Sequence, residues 1–329
     1  PEIFTYFFTG IFFWILWHWR KTASDKLLVT GEKDRQNKMV VILPVLMLLW
    51  VNLHIGFVFG FLVSGSFMLE AIINRTQKYG WLFVSYVKDV RIRQLGKIIF
   101  FLMVAGLINP NFLKGFLYPL SIFKNYGYLI VENQSIKFLE NLNFQGQHFL
   151  LFKIIAGAII VSFILVGIRN WRKLNVALLL LSVSTAVMAY FGIRSFPSFG
   201  LFAIPALAGN IYLFWPKNFH PAYQYSLSVM VVVIILVSLS GQYIRFLQIR
   251  DVLGFGLLPG ENDSVNFFKQ NNLKGLVFNN YDNGGFLIYH LYPQKVFVDN
   301  RPEAYTPEFF EEIYKRAQLD GKIWEQLDS

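Results

Sequence analysis

The sequence predicts an α-helical polytopic membrane protein with a small C-terminal extracytoplasmic α/β domain. Hydrophobic residues make up 55% of its 329, only 15% are charged, and the mean hydropathy is +0.44. A soluble fold of this size needs more polar residues to cover its surface. Long apolar runs alternate with short basic segments up to Arg250, and beyond it the runs shorten and acidic residues take over. The absence of cysteine excludes a disulfide-stapled module and a cysteine-ligated metal site, and the 18% aromatic content excludes a disordered chain.

A bilayer core takes roughly 20 apolar residues as helix. Eight candidate spans follow: residues 3–19, 39–53, 55–73, 98–109, 148–168, 174–192, 199–215 and 222–243. They place a membrane domain at 1–243 and an extracytoplasmic domain at 244–329. Residues 39–69 contain no charged side chain, so they read either as one long tilted helix or as a tight hairpin. Charge separates the two. Residues 20–38 and 75–97 each hold six Lys and Arg, and the positive-inside rule puts both in the cytoplasm. An even number of crossings must lie between them, which places a turn at Asn52 to Gly56. The same count puts 169–173 and 216–220 inside, and His54, the loop 110–147, Arg194 and everything after Tyr243 outside. Inside loops then carry about 16 Lys and Arg, against about four in the outside loops before the tail.

Two spans are short. Residues 39–53 reach only about 22 Å as helix, less than the ~30 Å core, and 98–109 are shorter still. Two readings stay open: His54 and Asn109 mark the floor of a cavity open to the outer face, or the bilayer thins around short helices. Gly56, Gly60 and Ser64 recur every four residues, the spacing at which helix backbones pack closely. Trp14, Trp17 and Trp19 beside Arg20 read as an interfacial belt, and Lys153 can snorkel.

The chain carries 23 Lys and Arg against 8 Asp and Glu over residues 1–250, and 7 against 12 over 251–329. Cations that flank apolar runs hold topology, so no nucleic-acid partner is expected; membrane lipids are. The sequence starts at Pro1 inside an apolar run and stops at Ser329 after a helical pattern, which reads as a segment of a longer protein. In the tail, 275–279 and 295–299 are short β-type runs, and 284–291 and 307–318 read as helices. Thr306-Pro307 supplies a cap and a first-turn proline for the second helix, ahead of Glu308, Glu311 and Glu312.

No phosphate-cradling glycine loop, dinucleotide fingerprint, zinc-protease or serine-hydrolase motif occurs, and His18, His54, His148, His220 and His290 stand at no metal-ligand spacing. No metal and no cofactor is expected. Polar groups at the outer ends of apolar spans are the stronger signal, because an ionisable or amide group there is costly without a partner or ligand. These are His54, Asn109, Glu132 with Gln134, and Arg194. Together they suit a phosphate-bearing or hydroxylated ligand; singly they also read as a turn histidine, a helix-stop amide and a headgroup anchor. In the tail, Asp282, Asp299, Arg301 and Tyr305 lie in loops after the β-type runs. They form either a ligand patch or an internal salt-bridge network.

At these residues the sequence resembles a group of bacterial membrane proteins in the wider GT-C glycosyltransferase-like class. The resemblance rests on Trp50-Val51-Asn52-Leu53-His54 with Gly56-Phe57, on Asn109-Pro110 followed by Tyr118-Pro119, on Glu132-Asn133-Gln134-Ser135, and on Arg194 with its Phe/Pro-rich follow-on. It continues in Phe278 to Gly285 and in Val298-Asp299-Asn300-Arg301, and covers residues 39–310. It implies a multi-pass protein of the bacterial inner (plasma) membrane that takes a sugar from a polyprenyl-phosphate donor at the outer face. Arg194 would counter the leaving phosphate, His54 and Asn109 would line the cavity, and the tail would cover the site. In that class the catalytic carboxylate lies in the first outside loop, upstream of residue 1; Glu2 stands too close to the start of the sequence to be matched to it, so no catalytic residue is carried over. A non-catalytic scaffold that docks a cell-envelope partner is the alternative. A transporter fits less well, because the short spans have no counterparts later in the chain.

Overall fold

The computed structural model describes residues 2–24, 39–80, 83–121, 127–144, 146–214, 229, 233, 262–275 and 277–319. The chain divides into two units: Pro1–Lys124 with Ile130–Phe214, and Asn125–Leu129 with Trp215–Ser329.

The first unit is helical throughout its described residues. It contains α1 (Ile3–Ser24), α2 (Leu43–Leu53), α3 (Val58–Tyr79), α4 (Phe83–Lys88), α5 (Val90–Leu107), α6 (Phe112–Leu117), α7 (Ile136–Asn141), α8 (Gln147–Asn170), α9 (Val176–Phe191) and α10 (Phe196–Phe214). Local chemistry sets several of their ends. Pro44 sits in the first turn of α2. Asp89 caps α5 by accepting from Arg91 N at 2.9 Å, and Asn175 caps α9 by accepting from Leu178 N at 3.1 Å.

Helix α8 is apolar on both sides. Phe149, Phe152, Ile159 and Phe163 are buried in the unit, while Leu150, Leu151, Ile154, Val161, Ile164 and Leu165 are exposed. A soluble helix presents a polar outer face; one that is apolar all round is built for a bilayer. Among the described residues, three helical stretches are long and apolar enough to cross one: Ile55–Lys78, His148–Lys173 and Ile193–Phe214. A fourth is reached if Val90–Leu107 and Phe112–Leu120, bent by 116° against each other, count as one broken span. Of the eight expected spans, 55–73, 148–168 and 199–215 coincide with these three stretches, and 98–109 falls in the first arm of the bent pair. Residues 39–53 and 174–192 form the shorter helices α2 and α9, and residues 3–19 fall within α1, whose Trp14, Trp17, His18, Trp19 and Arg20 dilute its apolar character. Residues 222–243 lie outside the described residues but for two positions.

The uncharged run 39–69 is a hairpin, as charge required, with its turn between Leu53 and Val58. Because α2 runs back, α1 and α3 lie parallel. Thr5 meets the start of α3 at Gly56, Phe12 lies against Gly60, and Arg20 meets Glu70. The offsets of 15 residues on α1 and 14 on α3 keep the two helices in register along their length. Gly60 admits Phe12, Met47 and Trp50, and the indole of Trp50 stacks on Phe8 with centroids 5.3 Å apart.

At the far end of this pair, the buried carboxylate of Glu70 accepts from Arg20 Nη1 through both oxygens, at 2.9 and 3.1 Å. It also accepts from the backbone N–H of Ala177 at 2.9 Å, at the start of α9, where the helix dipole favours a negative charge. One side chain thus ties α1, α3 and α9. The guanidinium of Arg20 also lies over the Trp17 ring, 4.1 Å from its centroid. Trp19 is buried in the core, so the expected tryptophan belt does not extend to it. On the other side of the unit, Asn210 donates to Ser162 Oγ at 2.9 Å and links α10 to α8. Lys153 is paired with Glu140 at 2.6 Å rather than extended alone.

The second unit departs from its expected α/β form. Among its described residues there is no strand, only one isolated parallel bridge between Val277 and Val296. The regular elements are α11 (Asp263–Gln270), α12 (Gly284–Leu291) and a π-helical stretch, Phe309–Tyr314, that runs into Lys315–Ala317. Aromatic packing takes over the role of a sheet: Tyr281, Val298, Phe310 and Tyr314 form a buried core, flanked by Tyr128, Phe278, Phe297, Tyr305 and Phe309. Buried Asn279 replaces several ladder bonds. Its Oδ1 accepts from Phe297 N at 3.0 Å and Val298 N at 3.3 Å, and its Nδ2 donates to Val298 O at 2.7 Å. The start of α12 lies so close to 298–299 that a methyl group at Gly284 would overlap the Val298 carbonyl oxygen.

Replacing Glu70 should show which bond matters. Glu70→Ala removes the carboxylate that pairs Arg20 and caps α9, and should cost about 2–4 kcal/mol, the lower part of the range for broken buried pairs because Arg20 is partly exposed. Glu70→Gln keeps an acceptor for Ala177 N and should cost less. Thermal unfolding of the detergent-solubilised protein should rank native above Glu70→Gln above Glu70→Ala.

Candidate functional site

The first turn of α1 gathers the polar groups at the opposite end of the α1–α3 pair from Glu70. Thr5 N and Tyr6 N both donate to Glu2 O, at 2.9 and 3.3 Å, so Glu2, Thr5 and Tyr6 stand at i, i+3 and i+4 on one face. Each side chain has a distant partner or neighbour. Thr5 Oγ1 lies 2.7 Å from His54 Nδ1. The Glu2 carboxylate forms an ion pair with Arg194 Nε and accepts from Tyr6 Oη at 3.1 Å. Arg194 sits in the one-turn 3₁₀ helix Ile193–Ser195 that joins α9 to α10. Among the described residues, its two terminal nitrogens take no partner.

His54 follows the last residue of α2 with an extended backbone, and its N–H still closes that helix on Trp50 O at 2.9 Å. Its Nδ1 also accepts from Gly56 N at 3.1 Å. A methyl group at residue 56 would overlap the Thr5 hydroxyl, so glycine there is what lets Thr5 reach the ring. Burial holds the imidazole pKa below its ordinary value.

The loop carrying Glu132 and Gln134 comes to the same place. Ile193 N donates to Gln134 O at 3.3 Å, and the Glu132 carboxylate is within electrostatic reach of Tyr6. The structure therefore brings His54, Glu132, Arg194 and the backbone of Gln134 together around the start of α1. The Gln134 side chain turns away to donate to Ile130 O at 3.1 Å.

Asn109 does something else. Its Nδ2 donates to Gly106 O at 3.0 Å and to Phe112 O at 2.9 Å, and its Oδ1 accepts from Asn111 N at 2.9 Å. Both amide hydrogens are spent on the 116° bend between α5 and α6. It lines an open cleft of about 500 Å³ with Asn52, Leu107, Ile108, Pro110 and Phe112, while the His54 ring is turned to Thr5. Asn52 closes the cleft's wall by donating to Leu48 O at 2.8 Å and Ile108 O at 2.9 Å.

In the second unit, Asp299 is buried and bonded three ways by Arg301: from N at 3.0 Å, from Nε at 3.0 Å and from Nη2 at 2.5 Å. Its own N–H donates to Tyr305 Oη at 3.0 Å. These bonds, foremost those from the Arg301 side chain, hold the Asp299 pKa below the ordinary carboxylate range. Asp282 is exposed; its backbone N–H donates to Asn280 Oδ1 and its carbonyl accepts from Asn300. Of the two readings for this loop, the geometry is that of an internal ion pair. Among the described residues, no three His, Asp or Glu side chains are grouped to hold a metal.

Sequence reasoning set Glu2 aside and missed Thr5 and Tyr6; the partners of Thr5 and Glu2 lie 49 and 192 residues away. It also missed Glu70, although an acidic residue at the end of an apolar span is itself a signal. No protein family model, curated protein or solved structure matches this chain.

The Asp299–Arg301 pair makes the second unit acid-sensitive in a defined direction. A carboxyl with a depressed folded pKa contributes stability above its unfolded value, about 3.9, and loses it as pH falls through the folded value. Arg301→Gln should raise that folded value, start acid unfolding at higher pH, and cost about 1 kcal/mol or less at neutral pH because Arg301 is exposed. Hydrogen exchange over residues 277–319 across a pH series measures both.

Proposed function

We propose that the protein is a membrane glycosyltransferase-like enzyme that moves a sugar from a polyprenyl-phosphate donor to an acceptor at the outer face of the bacterial plasma membrane. The observation that carries this reading is the convergence of Glu2, Tyr6, His54, Glu132 and Arg194 on one turn of α1, at one end of an apolar helical unit. Transfer to a hydroxyl needs a base for the acceptor proton and a cation for the leaving phosphate. Glu2 and Arg194 are that pair of charges, held together until a ligand separates them. A phosphate would take the free terminal nitrogens of Arg194, which present a fork matched to two phosphoryl oxygens. Glu2, released from Arg194, would accept the acceptor's proton. The acceptor oxygen then bonds the anomeric carbon, and the bond from that carbon to the phosphate oxygen breaks with its electrons going to phosphate.

The positive-inside count supports an outer location for this end, since the basic segments 20–38 and 75–97 adjoin the other ends of α1 and α3. The second unit is proposed as an extracytoplasmic domain that selects the acceptor, because the same count leaves everything after Tyr243 outside.

A scaffold role is the second reading, and one observation favours it: Arg194 is already neutralised by Glu2, as a structural clamp would be. Two substitutions separate the readings. Arg194→Ala should reduce transfer from a radiolabelled polyprenyl-linked sugar by about 10²-fold or more, with a stability change of about 1 kcal/mol or less for a half-exposed pair. Glu2→Gln should abolish transfer while retaining donor binding. Transfer unchanged in both variants overturns the enzymatic reading.

A further inference from the structure

We propose that Thr5 and Gly56 are positioning residues that lock His54 as the neutral tautomer protonated on Nε2, and that this Nε2–H donates to a phosphoryl oxygen of the ligand. The second half rests on the transferase reading above; the first stands on geometry alone. A backbone N–H can only donate, so the 3.1 Å bond from Gly56 N requires a lone pair on His54 Nδ1. The neutral ring must then carry its proton on Nε2. Thr5 Oγ1, 2.7 Å from the same Nδ1, must donate its hydroxyl hydrogen there. Protonating Nδ1 would turn it toward two donors at once, which disfavours the imidazolium.

The lock has three parts, each with a separate origin in the chain. The extended backbone of His54, tied to Trp50 O, sets where the ring begins. The Gly56 N–H and the Thr5 hydroxyl set its orientation. Glycine at 56 is required because any side chain there would evict the Thr5 hydroxyl. Nε2 takes no hydrogen-bond partner among the described residues, and His54 is only half-buried, so the donor remains open to a ligand.

The consequence for chemistry is specific. With its only lone pair occupied, His54 cannot serve as the base that deprotonates an acceptor hydroxyl. It can supply an oriented hydrogen bond without adding charge, at the turn of α1 where Glu2 already balances the charge of Arg194. The donor suits a phosphoryl oxygen at the rim, while the proton-accepting role falls to a carboxylate.

Nitrogen-15 NMR of the full chain labelled at histidine tests both halves, with the His54 signals assigned from their loss in His54→Asn. The native protein at neutral pH should show an unprotonated Nδ1 and a protonated Nε2. Thr5→Val and Gly56→Ala should both blur that single-tautomer signature, and Thr5→Ser should restore it. If Gly56→Ala fails to fold, Thr5→Val and its serine rescue decide. A protonated Nδ1, or a signature that survives Thr5→Val, overturns the lock. Geranyl phosphate added in detergent should shift the Nε2 proton and nitrogen resonances, and geraniol should not. Geranyl phosphate that binds by calorimetry without moving Nε2 overturns the donor role and leaves the transferase reading standing. No binding at all, with the tautomer signature intact, overturns the transferase reading and with it the ligand assigned to the donor.

Discussion

A carboxylate inside an apolar helical body is costly unless its charge and lone pairs are satisfied, and Glu70 is satisfied by groups from two other helices. Arg20 from α1 and the backbone N–H of Ala177 in the first turn of α9 converge on it towards the end of α3. That tie does more than offset a burial cost. It fixes the axial position of α1 against α3, because sliding either helix by a turn would strand the carboxylate. Since α1 and α3 run parallel, the register set at Arg20 and Glu70 is transmitted about 22 Å along the pair to Thr5 and Gly56. The meeting of Thr5 with His54 at 2.7 Å therefore depends on a bond at the opposite end of the same helices.

Function builds on that register. The first turn of α1 places Glu2, Thr5 and Tyr6 on one face, and each engages a group carried by another part of the first unit or within the turn itself. Arg194 rides on the short turn between α9 and α10, and α9 is the helix whose start is held by Glu70. The candidate site thus draws on α1 and on the turns that precede α3 and follow α9, the three helices that the buried ion pair joins. The length between the two ends is filled by Phe8, Phe12, Met47, Trp50 and Val63, and it also buries the hydroxyls of Thr9 and Ser64.

Much of the first unit was legible in the chain. The absence of charge from 39 to 69 between two basic segments forced a hairpin, and the turn falls where the asparagine, histidine and glycine stand. The polar residues at apolar ends also pointed to His54, Glu132 and Arg194, which all lie around the first turn of α1. Asn109 carried the same signal for a different reason: its amide is consumed in bending the backbone. Composition cannot tell a polar side chain that awaits a ligand from one that satisfies its own turn, because both are costly to leave unpaired. The tail misled in a related way. Val277 and Val296 have strand-like neighbours, yet the buried area comes from stacked aromatic rings and one asparagine that bonds backbone on both sides. A β-rich composition also fits an aromatic core with almost no ladder.

Taken alone, the order of residues determined the apolar class of the chain, the hairpin and the clustering of basic segments, because these follow from local hydropathy and the cost of moving charge through a bilayer. Whether 174–192 makes a long span or the 16-residue helix α9, which tautomer His54 adopts, and which carboxylate faces Arg194 were decided by the tertiary structure. Those outcomes draw on partners 49, 107 and 192 residues apart, and no local pattern encodes the register at which two helices finally meet.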